Sequence, residues 1–409
     1  MSSDEPILIV GGGLGGLATA LALGRKGMRV LVFEQAQEFG AIGYGIQLGP
    51  NIFHMFDRLG VSEAVKRVAH FPPAAVWFDA YTGREVMRVD TGPDIEKRFK
   101  HPYINIHRVD LHHVLLNACR ATAGIAFAPS SAVTGFEDLG DRVAVTTADG
   151  RRVEGRALIG ADGLRSTIRT QLFGECEPHM IGWVAHRTTV PMDQVPAGVD
   201  RNIVALWGGD GFHIVHYPLR QSTLFNIVTV FRTPHFEQRV DAKAYRAEVQ
   251  ETYARAHPVM KALIDITNLD WRGRIADRDP IRHWHKGRVT ILGDAAHAPL
   301  QSLAQGACMA IEDGVTLAEL IARYSDNFEA AFSELERGRA ARTARIVFES
   351  RYMWLMFHPT AQARERIHKR FRAMSRDDVW DALAWIYDGY PPASASARRM
   401  AAHSRIDEA

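Results

Sequence analysis

A glycine-rich turn near the N-terminus constrains the fold of this chain more than any other feature. The apolar run Ile7–Val10 predicts a buried strand. Three glycines in the spacing G-x-G-x-x-G follow it and precede a helix of small and apolar residues: Gly11, Gly13 and Gly16. The free N–H groups and positive dipole end of such a helix favour a pyrophosphate. A second apolar strand ends at Glu34, roughly twenty residues later, where a ribose hydroxyl needs an acceptor. This order of elements predicts a dinucleotide site.

The composition narrows the class of protein. With 46% hydrophobic and 23% charged residues, a chain of 409 residues is of ordinary globular type and long enough for two domains, or for one with an insertion. A net charge of +2 gives no reason to expect nucleic acid or an acidic membrane surface as a partner. Three scattered cysteines indicate neither a disulfide framework nor a metal site, and no apolar run approaches the ~20 residues of a membrane span. We therefore expect a cytoplasmic protein without a bound metal.

Two later elements repeat the logic of the first turn. One buried strand runs into Asp162-Gly163, and another ends at Gly293-Asp294. Arg108 stands where a further helix starts, and from spacing alone it is either a phosphate or ribityl contact or a solvated cap partner. The segment around Gln47 is rich in glycine and poor in charge, which suits a backbone passing close to a flat ligand, although loop flexibility would also explain it.

Between the second and third turns the sequence reads mostly as strand, from about residue 181 to residue 275. Because side chains alternate along a strand, His213, Val215 and Tyr217 share one face. We therefore expect an antiparallel sheet inserted into an α/β frame. The predicted divisions are residues 1–73, 101–176 and 280–345 for the dinucleotide-binding domain, 74–100 and 177–279 for the inserted β domain, and 346–409 for C-terminal helices and a tail.

Together the three turns resemble the three signatures of the class A flavoprotein aromatic hydroxylases, and the resemblance covers nearly the whole chain. It implies an α/β fold like that of p-hydroxybenzoate hydroxylase: a Rossmann-like FAD-binding domain, an inserted antiparallel-sheet substrate domain and C-terminal helices. It also implies bound FAD, with NADH or NADPH as cosubstrate. By motif, the FAD contacts are expected at Gly11, Gly13, Gly16, Glu34, Gln47, Arg108, Asp162 and Asp294.

Within that family, the run Gly293–Asp313 and the pattern His213-x-x-x-Tyr217 resemble those of 3-hydroxybenzoate 6-hydroxylases. Salicylate hydroxylases and 6-hydroxynicotinate monooxygenases, the two alternatives, usually carry a Pro-His pair where this chain has Leu300-Gln301. The resemblance implies an enzyme that uses NAD(P)H and O₂ to hydroxylate 3-hydroxybenzoate para to its hydroxyl group, giving gentisate. It also implies that the reaction proceeds through a flavin C4a-hydroperoxide.

The resemblance also implies a substrate site formed by His213, Tyr217 and Gln301. His213 and Gln301 are expected at the phenol oxygen, with His213 as the general base because imidazole titrates near neutrality. Tyr217 would orient the ring or its carboxylate, since four residues along a strand separate its backbone from that of His213 by ~13 Å. From pattern alone, His213 could equally be a hydrogen-bonded core histidine, Tyr217 a residue of sheet packing, and Gln301 an amide that stabilises its loop.

Two competing functions share the FAD signals. A flavin reductase would not consume oxygen stoichiometrically, and a flavin-binding sensor would leave NADH oxidation unchanged by aromatic ligands. The expected partners are a small aromatic acid and O₂. The C-terminal helices carry Trp380 and Trp385, which would allow a homodimer through an apolar face.

Overall fold

The computed structural model describes residues 5–40, 43–174, 177–237, 241–325 and 327–390. Part of the glycine-rich segment, residues 41–42, and the predicted tail from residue 391 lie outside these ranges. The strands are β1 (Ile7–Val10), β2 (Val30–Phe33), β3 (Gly45–Leu48), β4 (Ala74–Asp79), β5 (Glu85–Asp90), β6 (Ile104–His107), β7 (Ile125–Ala128), β8 (Val133–Asp138), β9 (Val143–Thr147), β10 (Arg152–Gly155), β11 (Leu158–Gly160), β12 (His179–Pro191), β13 (Val204–Gly209), β14 (Phe212–Leu219), β15 (Leu224–Arg232), β16 (Gly273–Asp277), β17 (His285–Lys286) and β18 (Val289–Ile291). The helices are α1 (Leu14–Gly24), α2 (Phe53–Arg58), α3 (Ser62–Val68), α4 (Pro93–Phe99), α5 (Arg108–Arg120), α6 (Thr167–Phe173), α7 (Ala242–Thr252), α8 (Pro258–Asp265), α9 (Asp294–His297), α10 (Gly306–Tyr324), α11 (Phe328–Phe357), α12 (Ala361–Arg372) and α13 (Arg376–Tyr387).

A six-stranded sheet with the order β17-β18-β11-β1-β2-β7 forms the dinucleotide-binding half of the molecule. Its strands pair in parallel, except for the β17–β18 pair. Strands β1, β11 and β18 are buried along their whole length, and a strand buried on both faces is apolar throughout instead of alternating. These three strands are neighbours, so the turns at Gly11, Asp162 and Gly293 meet at the carboxyl edge of one sheet. Ligands of open α/β sheets bind at this edge.

A seven-stranded sheet with the order β16-β12-β15-β14-β13-β4-β5 forms the second half. Only β13 and β4 pair in parallel within it. Phe212 and Ile214 on one face of β14 pack with Val249 of α7 and Met260 of α8 in a buried cluster. Tyr217 on the opposite face belongs instead to the core of the dinucleotide-binding half. One face of this sheet is therefore covered by helices, and the other faces the first sheet and its turns.

Helix α11 joins two of the regions that the sequence pattern divides. It runs for 30 residues from Phe328 to Phe357, so the predicted boundary between residues 345 and 346 falls inside one continuous helix. The next stretch, predicted to be helical from residue 361 to residue 387, consists of α12 and α13. They are separated at Ser375, whose side chain and that of Asp378 form a capping box.

The tryptophans of the predicted dimer face are engaged within the chain. Trp380 is buried, packs on Phe99 and donates from Nε1 to the carbonyl oxygen of Asp90 at 3.3 Å. The guanidinium of Arg345 lies 3.8 Å from the ring centroid of Trp385. In the described part of the chain, no helix has the length and apolarity needed to cross a membrane, and no group of three or more metal-ligating side chains is assembled.

Candidate active site

The first glycine turn has the geometry of a ligand cradle. Gly11 has a φ of +108°, and a Cβ at this position would lie 2.3 Å from the carbonyl oxygen of Ala161. A Cβ at Gly16 would lie 1.9 Å from the carbonyl oxygen of Gly11. At Gly13, in contrast, a Cβ would meet no atom of the described chain within 4 Å, and no side chain caps the N-terminus of α1. Gly11 and Gly16 thus permit the tight turn, while Gly13 leaves open space before the helix dipole.

Glu34 ties the end of β2 to this turn. Its Oε2 accepts a hydrogen bond from the backbone N–H of Gly12 at 2.9 Å, and its Oε1 accepts one from Ala36 at 3.0 Å. A carboxylate oxygen has two lone pairs, so each oxygen retains one acceptor position. Glu34 is therefore placed beside the turn with the acceptor capacity that a ribose diol requires.

The two aspartates of the other turns also match a bound cofactor. Asp162 accepts a hydrogen bond from the N–H of Ile168 at its Oδ2, but its buried Oδ1 has no hydrogen-bond partner among the described residues, and burial raises the pKa of its carboxyl group. Asp294, at the start of α9, keeps solvent-exposed surface, but the protein atoms packed around it desolvate its carboxyl group and raise its pKa. The charge of nearby Arg108, the first residue of α5, opposes this rise. A buried carboxylate oxygen without a partner requires a donor, which a bound cofactor would supply.

A buried ion-pair network supports the third turn. Asp313 of α10 accepts hydrogen bonds from the N–H of Gly293 at 3.0 Å and from Nε2 of His297 at 2.6 Å. Its other oxygen accepts a hydrogen bond from Nε of Arg339 at 2.7 Å. Burial opposes ionisation, but the charges of His297 and Arg339 lower the pKa of Asp313 to about 2. Sequence reasoning missed this support; its signal is the acidic pair Glu312-Asp313 between apolar stretches of α10.

Tyr217 lies where the two halves meet. A Cβ at Gly45 of β3 would lie 2.5 Å from Cε2 of Tyr217, so β3 runs directly along the tyrosine ring. The N–H of Gly45 donates to Oδ1 of Asn226, the cross-strand neighbour of Tyr217, at 2.9 Å. Burial raises the pKa of Tyr217, against the effects of Arg187 and of a hydrogen bond with Gln47. The structure therefore brings Gln47 and Tyr217 together.

His213 is part of a chain of hydrogen bonds. Its Nδ1 is 2.7 Å from Nε2 of His358, whose Nδ1 is 2.6 Å from the carbonyl oxygen of Trp354. Burial, together with the neighbouring His358, places the pKa of His213 well below its ordinary value. Burial also lowers the pKa of His358 to about 3. The expectation that His213 titrates near neutrality was wrong, because its burial disfavours the charged ring.

Arg187 is the cation of this face, and sequence reasoning missed it. It lies opposite Val228, which lies opposite Val215, so its side chain projects from the same face as His213 and Tyr217 and at a level between them. Its Nη2 donates to Oε1 of Gln301 at 2.8 Å. Burial lowers the pKa of Arg187, and within the described ranges it forms no ion pair with a carboxylate. The signal in the sequence is a single arginine inside a long strand that has no other lysine, arginine, aspartate or glutamate.

Helix α11 holds the loop of Gln301 and the ring of His213 at once. The N–H of Leu300 donates to Oγ of Ser350 at 3.1 Å. One turn later, the ring of Trp354 meets that of His213 edge to face, with centroids 5.3 Å apart. His358 follows after another turn. Ser350 and Trp354 share one face of α11, and His358 caps the C-terminus of the helix beside them, an arrangement that sequence reasoning also missed.

Comparison with known proteins gives this geometry a class. A family model described as "FAD binding domain" matches residues 4–347. The chain therefore belongs to this family, and it is an FAD-dependent aromatic monooxygenase that uses NAD(P)H as cosubstrate. It is 42% identical over 387 residues to a 3-hydroxybenzoate 6-hydroxylase of Polaromonas naphthalenivorans (strain CJ2), with 94% of this chain and 96% of the relative covered. A 6-hydroxynicotinate 3-monooxygenase of Pseudomonas fluorescens is 33% identical, with 85% of this chain and 90% of the relative covered.

A solved structure confirms the predicted fold class. HpxO of Klebsiella pneumoniae complexed with FAD and uric acid superimposes with a TM-score of 0.81 at 24% identity, covering 93% of this chain and 96% of that one. The residues of the three turns fit an FAD cofactor, because they offer an open helix N-terminus, spare carboxylate acceptors and an unpaired buried oxygen.

Proposed function

We propose that this chain hydroxylates 3-hydroxybenzoate at the carbon para to its hydroxyl group, giving gentisate, with NAD(P)H and O₂ as cosubstrates. The relative at 42% identity bears the name of this activity, while the 6-hydroxynicotinate 3-monooxygenase is less similar at 33%. The single observation that carries the proposal is a set of three side chains, two from one sheet face and one from the loop beside it. It combines a neutral histidine, an amide and a cation without a carboxylate partner among the described residues: His213, Gln301 and Arg187.

The hydrogen-bonding capacities of His213 and Gln301 suit a phenol. An arginine can only donate, so the amide oxygen of Gln301 faces Arg187 and its NH₂ group is left to donate to the phenol oxygen. His213 accepts the phenol proton at its remaining ring nitrogen. As that O–H bond breaks, electron density rises at the para carbon, which is position 6 of 3-hydroxybenzoate. FAD held by the residues of the three turns and reduced by NAD(P)H would supply the activated oxygen for this carbon.

Arg187 supplies the charge that an aromatic acid requires. A largely buried guanidinium without a carboxylate partner gains most from an incoming carboxylate, since the pair forms where water is scarce. Tyr217, with its ring against β3, bounds the pocket on the cofactor side and orients the substrate ring. These two residues thus hold the carboxylate end, while His213 and Gln301 hold the hydroxyl end.

The test uses purified, FAD-loaded protein with 3-hydroxybenzoate, salicylate and 6-hydroxynicotinate in parallel. NADH oxidation, oxygen uptake and product identity are measured for each ring. Gentisate from 3-hydroxybenzoate, at one NADH per O₂, is expected. Catechol from salicylate, or hydroxylation of 6-hydroxynicotinate alone, would assign the chain to one of the two alternatives.

We further propose that the chain is cytoplasmic and has the three-part division predicted from the sequence, with residues 346–358 counted with the active site.

We also propose that the chain forms a homodimer through α11, on which Phe348, Tyr352 and Leu355 are exposed by 56%, 40% and 64%. Their spacing of i, i+4 and i+7 forms one apolar stripe. Light scattering should give twice the mass of the chain, and Leu355→Glu should give the mass of one chain; a monomeric wild type would contradict the dimer.

A further inference from the structure

The hydrogen bonds behind His213 determine which of its nitrogens carries a hydrogen. Nδ1 of His358 is 2.6 Å from the carbonyl oxygen of Trp354. A carbonyl oxygen only accepts, so this nitrogen carries the hydrogen. A neutral imidazole has one N–H, and His358 is neutral because burial lowers its pKa to about 3. Nε2 of His358 is therefore a bare acceptor that faces His213.

The same reasoning extends to His213. Its Nδ1 is 2.7 Å from the acceptor Nε2 of His358, so Nδ1 carries the hydrogen of that bond. The opposite tautomer would set two lone pairs against each other at this distance. Since His213 is also neutral, its Nε2 has no hydrogen and presents a lone pair. No other described residue is hydrogen-bonded to the ring of His213.

No charged group competes for the hydrogen bonds that link His213, His358 and the carbonyl oxygen of Trp354 in the described part of the chain. Trp183 and Trp354 pack against the ring of His358, with centroids 4.3 Å and 4.9 Å away, and Trp354 also meets His213. Among the described residues, no carboxylate or cation is hydrogen-bonded to either histidine side chain or shifts its pKa. The backbone carbonyl of α11 is therefore the fixed acceptor that orients both rings.

We propose that His358 is a positioning residue, which holds His213 in the tautomer whose Nε2 can accept the phenol proton. The inference rests on the proposed function. In the step itself the phenol O–H bond breaks and an N–H bond forms at Nε2 of His213. The resulting imidazolium keeps donating from Nδ1 to His358, which disperses its charge, while the phenolate oxygen stays with the amide of Gln301.

Two substitutions separate the two ends of His358. His358→Asn keeps a donor near the position of Nδ1, within reach of the carbonyl of Trp354, but removes the acceptor at Nε2. His358→Gln keeps an acceptor near the position of Nε2. His216→Phe is the matched control, because His216 is buried on the opposite face of β14 and is hydrogen-bonded to Nε1 of Trp207 at 3.0 Å.

Binding is measured by titrating the visible absorbance of the oxidised FAD-loaded enzyme with 3-hydroxybenzoate and with benzoate, which lacks the hydroxyl group. We expect His358→Asn to weaken 3-hydroxybenzoate binding about tenfold and to leave benzoate binding unchanged, since only the phenol needs the oriented lone pair. His358→Gln should stay within about twofold of wild type for both ligands. His216→Phe should lower the unfolding temperature without changing the ratio of the two affinities.

An equal loss for both ligands in His358→Asn would overturn the proposal, because a merely structural role predicts it. So would a His358→Gln variant as impaired as His358→Asn. Gentisate yield per NADH is the second readout, and it should fall in His358→Asn and recover in His358→Gln. If the wild type instead makes no gentisate from 3-hydroxybenzoate, the proposed function fails, which is a different result from a working enzyme that is indifferent to His358.

Discussion

The substitution Arg187→Met tests how the site recognises an acid. Along the strand direction of the sheet, Arg187 lies at a height between His213 and Tyr217. Its guanidinium donates a hydrogen bond to the side-chain oxygen of Gln301 at 2.8 Å and has no carboxylate partner among the described residues. Methionine keeps most of the apolar stem and removes the charge. The substrate carboxylate would then lose its counter-charge on this face, whereas the hydroxyl end would keep His213.

The expected loss follows from charge-assisted hydrogen bonding. A hydrogen bond to a charged group contributes about 1.5–3 kcal/mol, and a contact pair of unit charges near a protein surface has an upper value of about 4 kcal/mol. A loss of about 2–3 kcal/mol raises KM for 3-hydroxybenzoate by roughly 30- to 150-fold. The neutral 3-hydroxybenzamide loses a hydrogen bond from the guanidinium but no ion pair, so its KM should rise by only about tenfold, the lower end of the range for a charged donor.

The assay is gentisate formation from 3-hydroxybenzoate and the corresponding product from 3-hydroxybenzamide, each over a range of concentrations. Arg187→Lys should recover part of the preference for the acid, because it restores the charge without the fork. Arg220→Met is the control, since Arg220 is exposed and pairs with Asp110 at 2.8 Å. If Arg187→Met raises the KM of acid and amide equally, Arg187 does not bind the carboxylate and the reasoning is refuted.

Three further predictions concern the cofactor turn, the buried network and the base. Gly16→Ala should yield protein with little FAD, because its Cβ would lie 1.9 Å from the carbonyl oxygen of Gly11, and a normal FAD content would contradict this role of Gly16. Gly13→Ala, whose Cβ meets no described atom, should be as stable as the wild-type apoprotein but should bind FAD more weakly. The pKa of Asp313 is lowered to about 2, so its contribution to the free energy of unfolding is complete above pH ~4 and is lost as the pH falls towards 2. Asp313→Asn should lower the free energy of unfolding in urea at pH 7 by ~2 kcal/mol and should flatten its dependence on acid pH. An unchanged pH dependence in this variant would exclude the role of Asp313. His213→Asn should lower kcat by about 100-fold. In the wild type, kcat should not fall as the pH is lowered from 8 to 6, because the pKa of His213 lies well below its ordinary value. A fall in wild-type kcat that His213→Asn abolishes would show that the ring titrates in this range.

The cofactor half was predictable because its determinants are local. A buried parallel strand, a glycine turn and a helix follow one another in the sequence at Gly11, and the same order recurs at Asp162 and Gly293. The structure adds that β1, β11 and β18 are adjacent, which explains why three distant turns form one edge. The alternation along β14 likewise placed His213 and Tyr217 on one face, and packing on the other face by α7 and α8 agrees with it.

The partners of these residues were not predictable, because they come from elements far apart in the sequence. Arg187 reaches the site only through the register of β12 with β15 and of β15 with β14. His358 lies 145 positions from His213, and nothing local to either residue indicates their contact. The pKa of His213 depends on this burial, so a sequence argument assigns it the ordinary value.

The most direct test of the central claim is the position and origin of the new oxygen atom. The FAD-loaded enzyme is supplied with NADH, 3-hydroxybenzoate and ¹⁸O₂, and the product is separated and analysed by mass spectrometry and NMR. The account predicts 2,5-dihydroxybenzoate that carries one ¹⁸O atom, in the hydroxyl group at the former position 6. A 2,3- or 3,4-dihydroxybenzoate product, or NADH oxidation that yields only hydrogen peroxide, would contradict it.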